Sequence, residues 1–158
     1  MYEAALFEQK RNHHVGIDIG APVGTPIYAF AEGEIFMFDN NAEEGSYGPT
    51  LITKHTLSLP SAIGVQETSE IETIWVLYGH LRKDVLDMWT HGQSFGRGDV
   101  LAFIGDEHEN GGWPPHVHVQ ISRNEPRVCD LPGVVALEDR EKALLNFPDP
   151  RLILGPIY

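Results

Sequence analysis

Eight histidines in a chain of 158 residues carry information through their grouping. His116 and His118 stand at i and i+2 in His116-Val117-His118-Val119-Gln120. On a strand, residues two apart share a face, so both imidazoles would address one site while Val117 and Val119 point the other way. Their Cα atoms would lie about 6.6 Å apart at the usual strand rise. One could bind a metal while the other stands beside its open position. Taken alone, the pair also fits two surface histidines on an amphipathic strand. His14 and Asp18 form a second group, four residues apart. On a straight strand about 13 Å would separate their Cα atoms, too far to share a zinc ion at about 2.0–2.2 Å. Gly16 lies between them and permits the bend that sharing requires. Without a metal, the same residues read as a turn carboxylate beside an exposed histidine.

Together these segments supply His, Asp and His, a set that suits a catalytic zinc with its fourth position open. No His-Glu-x-x-His helix is present to provide a glutamate base. The spare histidines, His116 and His80 (after Tyr78-Gly79), would do the proton work. His55 and His91 read as surface or outer-shell residues, and His13 as a neighbour that orients His14 or faces solvent. Trp75, Tyr78 and Trp89 read as core or groove wall, and Trp113 as cleft lining or loop packing. The lone Cys129 excludes an internal disulfide and reads as a small buried hydrophobe.

Short apolar-polar alternations rich in Val, Ile, Phe and Tyr must position these groups. They predict strands over 16–19, 26–31, 34–38, 50–55, 71–78, 100–104 and 116–122. Weak helical periodicity marks 84–90 and 138–145, and 57–70 reads as a hairpin loop or insertion. The expected fold is mainly β, an antiparallel sheet with short helices and a loop-rich C-terminal tail. One domain of residues 1–158 is expected, its core over 11–123 and residues 124–158, rich in Pro, Leu and Asp, wrapping the core or acting as a linker.

A net charge of −12 repels phosphate backbones and argues against nucleic-acid binding. No window approaches the roughly 18 apolar residues of a membrane span. Residues 1–10 lack the basic start and apolar run of a secretory signal. The sequence as written is therefore expected to be cytoplasmic, with the cell envelope open to it if it is an excised domain.

His14-Val15-Gly16-Ile17-Asp18, Tyr78-Gly79-His80-Leu81 and Pro115-His116-Val117-His118-Val119-Gln120-Ile121, in that order, resemble the lysostaphin/LytM-type zinc endopeptidases. The run from Gly24 to Ala29 with Gly33-Glu34-Ile35 is similar to that family's first hairpin. The resemblance implies a duplicated, barrel-sandwich-like β fold and one zinc held by His14, Asp18 and His118. It implies His80 and His116 as the catalytic pair beside a water activated by the metal. The implied reaction is cleavage of an amide bond in a peptide or peptidoglycan-like substrate. Residues 8–13 lack the Tyr that active members carry upstream of the first motif. Asn12 lies too close to His14 for the family's inhibitory Asn ligand. Asn110-Gly111-Gly112-Trp113-Pro114-Pro115 stands where Ser-Thr-Gly-Pro is usual, so one groove wall should differ. That loop, with Phe147-Pro148-Asp149-Pro150, is similar to a subgroup fused to kinase-like and class III aminotransferase domains, which implies fused or neighbouring enzyme domains. A non-catalytic metal-binding or interaction module on the same fold is the competing expectation. A lipoyl-type carrier is excluded, because no lysine sits on a tight hairpin beside a methionine.

Overall fold

The computed structural model describes residues 13–58 and 71–155. The expectations for residues 1–12, for most of the 57–70 segment and for Pro156 lie outside them. The strands are β1 (His13–His14), β2 (Ile17–Gly20), β3 (Pro26–Tyr28), β4 (Gly33–Asn41), β5 (Gly48–Ser58), β6 (Ile71–Gly79), β7 (Ser94–Phe95), β8 (Val100–Phe103), β9 (His116–Ser122) and β10 (Val134–Val135). Three short α-helices accompany them, α1 (Val85–Met88), α2 (Arg140–Asn146) and α3 (Arg151–Leu154), with a 3₁₀ turn at Leu137–Asp139. Among the described residues, no helix is long and apolar enough to cross a membrane. The mainly β, antiparallel expectation holds. β4 and β5 extend past their predicted ends, and β1, β7, β10 and α3 are additions that local periodicity does not announce.

A six-stranded antiparallel sheet in the order β2-β9-β6-β5-β4-β7 forms the frame. β3 pairs with β8, and β1 with β10, as separate two-stranded ribbons. Register decides which side chains share a face, because a slip of one residue would exchange the faces. Tyr78 pairs with Leu51 and Val119, Val76 with Thr53 and Ile121, and Ile74 with His55. These residues point to one face and join the larger core, which Ala29, Leu101, Ala102, Ile104 and Val85 close from the β3–β8 and α1 side. Leu77 pairs with Ile52 and Gln120, Gly79 with His118, and Asp18 with His118. That opposite face carries a smaller apolar cluster of Ile52, Trp75, Leu77, Cys129 and Leu131, and beyond it the polar residues of the motifs.

The alternation in β9 thus works as the sequence predicts. Val117, Val119 and Ile121 enter the large core, while His116, His118 and Gln120 line the other face. Residues 129–135 cross that second face as a strap. Cys129 and Leu131 anchor it in the small cluster, and Val135 and Val134 pair with His13 and His14. Cys129 is buried as expected, and burial pushes its thiol up to about 12.

Candidate metal centre and active-site cleft

Gly16 forms a bend between β1 and β2, where the sequence requires one. The turn brings His14 Nε2 to 3.4 Å from Asp18 Oδ1. β2 pairs with β9 so that Asp18 stands opposite His118, placing Asp18 Oδ1 2.9 Å from His118 Nδ1. A Cβ on residue 16 would lie 2.5 Å from His118 Cε1 and 2.7 Å from the Val119 carbonyl oxygen. Only glycine lets the bend pass this close to the imidazole. One donor atom each from His14, Asp18 and His118 lies within 4.8 Å of the others.

The remaining ring nitrogens fix the tautomers. His14 Nδ1 donates to the Gly16 carbonyl at 2.8 Å. Gln120 Nε2 donates to the Pro132 carbonyl, which turns its Oε1 toward His118 Nε2 at 3.0 Å, so that nitrogen carries the proton. His116 Nδ1 donates to the Pro114 carbonyl at 2.6 Å. In the neutral tautomers, lone pairs on His14 Nε2, His118 Nδ1 and His116 Nε2 consequently face the same carboxylate oxygen, the last at 3.9 Å. Opposed lone pairs repel unless a metal ion or a proton lies among them. A tetrahedral zinc would separate its ligands by roughly 3.4 Å at its usual bond lengths. The donor set, its spacing and the engaged outer nitrogens fit such an ion.

Without a metal ion, protonated rings make the same contacts as hydrogen bonds to the carboxylate. Partial burial acts to raise the Asp18 carboxyl, yet its hydrogen bonds with His118 and His14 prevail and hold it below the usual carboxylate range. The bond to Asp18 raises His14 against the opposing effect of burial. Both shifts express a carboxylate surrounded by positive or polarised partners.

His80 lies behind His116, with ring centroids 4.3 Å apart. Among the described residues it is the one non-glycine residue with positive φ, at 62°. That conformation is costly for a residue with a Cβ and persists only where its surroundings enforce it. Here the Tyr47 carbonyl accepts from the His80 amide, and the Gly105 amide donates to the His80 carbonyl. The side chain donates from Nδ1 to the Asn110 carbonyl at 2.8 Å, leaving Nε2 bare. Burial pushes the imidazole down to about 4, so it is neutral at physiological pH.

All five residues singled out by the motifs line one cleft of about 550 Å³, with Tyr47, Trp113 and the strap residues 130–134. Trp113 is cleft wall, 43% exposed, and its indole donates to the Ser46 carbonyl. His13 pairs in β1, and exposed His91 stacks on Phe38. The surface reading of His55 is wrong: it is 1% exposed, packed between Phe30 and Phe95 and bonded to Thr53 and the Glu32 carbonyl. Its position opposite Ile74 in a central pair of strands put it on the larger core's face, a long-range pairing that its neighbours in sequence do not reveal.

Sequence reasoning missed three contributors. Tyr47 sits edge-on and tilted against His80 and His118, and its hydroxyl donates to the Leu131 carbonyl. Burial raises its phenol beyond the usual tyrosine range. Fully buried Asn110 ties the loop together by accepting from the Trp113 amide and donating to the Trp113 carbonyl. Gln120 was detectable, being two residues past His118 on the same strand face. Nothing local marks the other two.

Residues 12–129 match Peptidase family M23. Among curated relatives, the DD-carboxypeptidase/endopeptidase Mpg of Neisseria meningitidis is 31% identical over 112 residues, which cover 70% of this chain and 20% of that protein. The chain spans about a fifth of the length of the curated relatives it matches. Among solved structures, a zinc-containing peptidase from Vibrio cholerae aligns with a TM-score of 0.52 at 25% identity, over 78% of this chain and 35% of that one. The catalytic domain of a prophage-encoded M23 protein, EnpA from Enterococcus faecalis, aligns with a TM-score of 0.51 at 22% identity, over 76% and 75% of the two chains. With the family matched across most of its length and these structures sharing its fold, the chain belongs to peptidase family M23.

Proposed function

We propose that the protein is a zinc-dependent hydrolase that cleaves an amide bond in a peptide or peptidoglycan-like substrate. The observation that carries this reading is the convergence of His14 Nε2, His118 Nδ1 and His116 Nε2 on Asp18 Oδ1, with the other ring nitrogen of each held by a neighbouring group. His14 Nε2, Asp18 Oδ1 and His118 Nδ1 would hold one zinc ion, and bound there it supplies Lewis acidity toward water and the scissile carbonyl. His116 is left over from this set, its Nε2 3.9 Å from Asp18 Oδ1. Its Nε2 is placed to accept the proton of an attacking water, and as an imidazolium it can return that proton to the leaving amine. His80 Nε2 offers a second acceptor beside it, held neutral and aimed by its strained backbone. Trp113 and the strap restrict water and position the peptide between them.

The test uses zinc-loaded protein and purified peptidoglycan or its soluble muropeptides, with release of new amino groups as the readout. His116→Ala should keep about one zinc per chain and lose at least a hundredfold in kcat, the scale of general acid–base catalysis. Retained activity would remove His116 from the mechanism. Zinc binding without hydrolysis of any peptide would favour the binding-module reading.

A further inference from the structure

We propose that Asp130 forms a subsite for a cationic group of the substrate, so that the cleft prefers peptides carrying a free primary ammonium over their neutral counterparts. The inference rests on the hydrolase reading and names the substrate class for that same site. It follows from how the strap presents this one side chain. Cys129 and Leu131 on either side of it are buried in the small apolar cluster, whereas Asp130 is exposed and lines the cleft. Besides the β1–β10 pairing, side-chain and backbone hydrogen bonds hold the strap on both sides of Asp130, starting with Asn41 Nδ2, which donates to the Cys129 carbonyl at 2.8 Å. The Val15 amide donates to the Gly133 carbonyl at 3.0 Å, Gln120 to Pro132 at 3.1 Å and Tyr47 to Leu131 at 3.2 Å. The carboxylate is therefore carried on a fixed segment.

The charge inventory of the cleft supplies the chemistry. Asp18 and Asp130 are its two acidic residues, and no lysine or arginine lines it. Asp18 is committed to the imidazoles of His14 and His118. Among the described residues, none of the ion pairs includes Asp130. Partial burial raises its carboxyl, opposed by the Leu131 amide. His80 is neutral, as is the Tyr47 phenol. With zinc held by His14, Asp18 and His118 the metal site would be net positive, so an ammonium in the cleft is drawn to the uncommitted charge of Asp130 and not to the metal, and the chain's net charge of −12 attracts such a ligand from a distance. A carboxylate or neutral group at the same point gains nothing from it.

Soluble muropeptides with free amines, and the same muropeptides after acetylation of those amines, form the matched probe pair. For zinc-loaded wild type, acetylation should lower kcat/KM by about tenfold, the scale of one charge-assisted contact that is partly exposed. In Asp130→Asn, which can still accept from the Leu131 amide, the ratio should shrink to within about twofold. An equal ratio in both proteins would overturn the proposal. If wild type cleaves neither probe, the hydrolase reading fails on its own, and calorimetric titration with the same pair still decides the subsite. Equal affinity of wild type for free and acetylated peptides would then refute it, and a preference lost in Asp130→Asn would support it.

Discussion

His118 and His55 occupy the two faces of the same sheet under matching local conditions, with opposite chemical outcomes. Each imidazole is almost fully buried, at 2% and 1% exposure. Each is backed by a glycine that cannot bear a Cβ: Gly16 against His118, and Gly33, whose added Cβ would lie 2.7 Å from His55 Nδ1. Each has both ring nitrogens engaged. For His55 both partners are neutral groups, the Thr53 hydroxyl and the Glu32 carbonyl, and two phenyl rings seal the site. For His118, Gln120 takes the proton-bearing nitrogen and a carboxylate shared with His14 faces the other. Burial and a backing glycine therefore do not mark a metal centre. The mark is a bare lone pair that meets further bare donors at the edge of a cleft.

The sharpest separation of the two faces comes from deleting each ring. His118→Ala should drop bound zinc from about one per chain to below a tenth and abolish hydrolysis, because two remaining ligands seldom hold zinc. His55→Ala should keep its zinc and instead lose about 2–4 kcal/mol of stability through the cavity and two orphaned partners. Metal analysis beside denaturant unfolding reads both effects, and zinc loss from the His55 variant would break the comparison.

Filling the glycines is the next contrast. Gly16→Ala and Gly33→Ala should each cost about 1–3 kcal/mol through overpacking. Only the first should also displace a ligand and weaken zinc binding. Removing the outer support comes third. Gln120→Leu should weaken zinc affinity by about 10–100-fold, since it frees the nitrogen that Gln120 holds protonated. Competition with a chromogenic chelator measures this, and unchanged affinity would show that Gln120 does not orient His118.

The smallest expected effect is on pH dependence. Burial lowers the His55 pKa from 6.5, against the opposing bond to Glu32. The folded chain therefore keeps the ring neutral while the unfolded chain takes up a proton below 6.5, so stability falls as pH drops through that value. The slope of unfolding free energy between pH 7 and 5 should be steeper in wild type than in His55→Gln, by at most about 1.4 kcal/mol per pH unit. Equal slopes would contradict a neutral buried His55.

What was legible in the sequence is what depends on local period and chain geometry. The i, i+2 histidines of β9, the need for a bend at Gly16 and most strand positions follow from alternation and from the reach of a strand. The order of the three motifs pointed to the family. Contacts made by long-range pairing were hidden. β1 meets β10 across some 120 residues of chain, a distance read directly from their register, and the tail that holds Pro132 reads beforehand as a wrap over the core or a linker with no partner strand marked. Tyr47 lines the cleft, and Asn110 holds His80 through its carbonyl, only because their loops meet His80 from the side. The positive φ of His80 is imposed by those loops, and no feature of Tyr78-Gly79-His80 announces it.

The most direct measurement is anomalous diffraction at the zinc edge from crystals of the zinc-loaded protein. A single strong peak should lie within about 2.0–2.2 Å of His14 Nε2, Asp18 Oδ1 and His118 Nδ1, with His80 and His116 unligated. A peak held between His80 and His116, or no peak at the three ligands in a zinc-replete crystal, would contradict this ligand assignment.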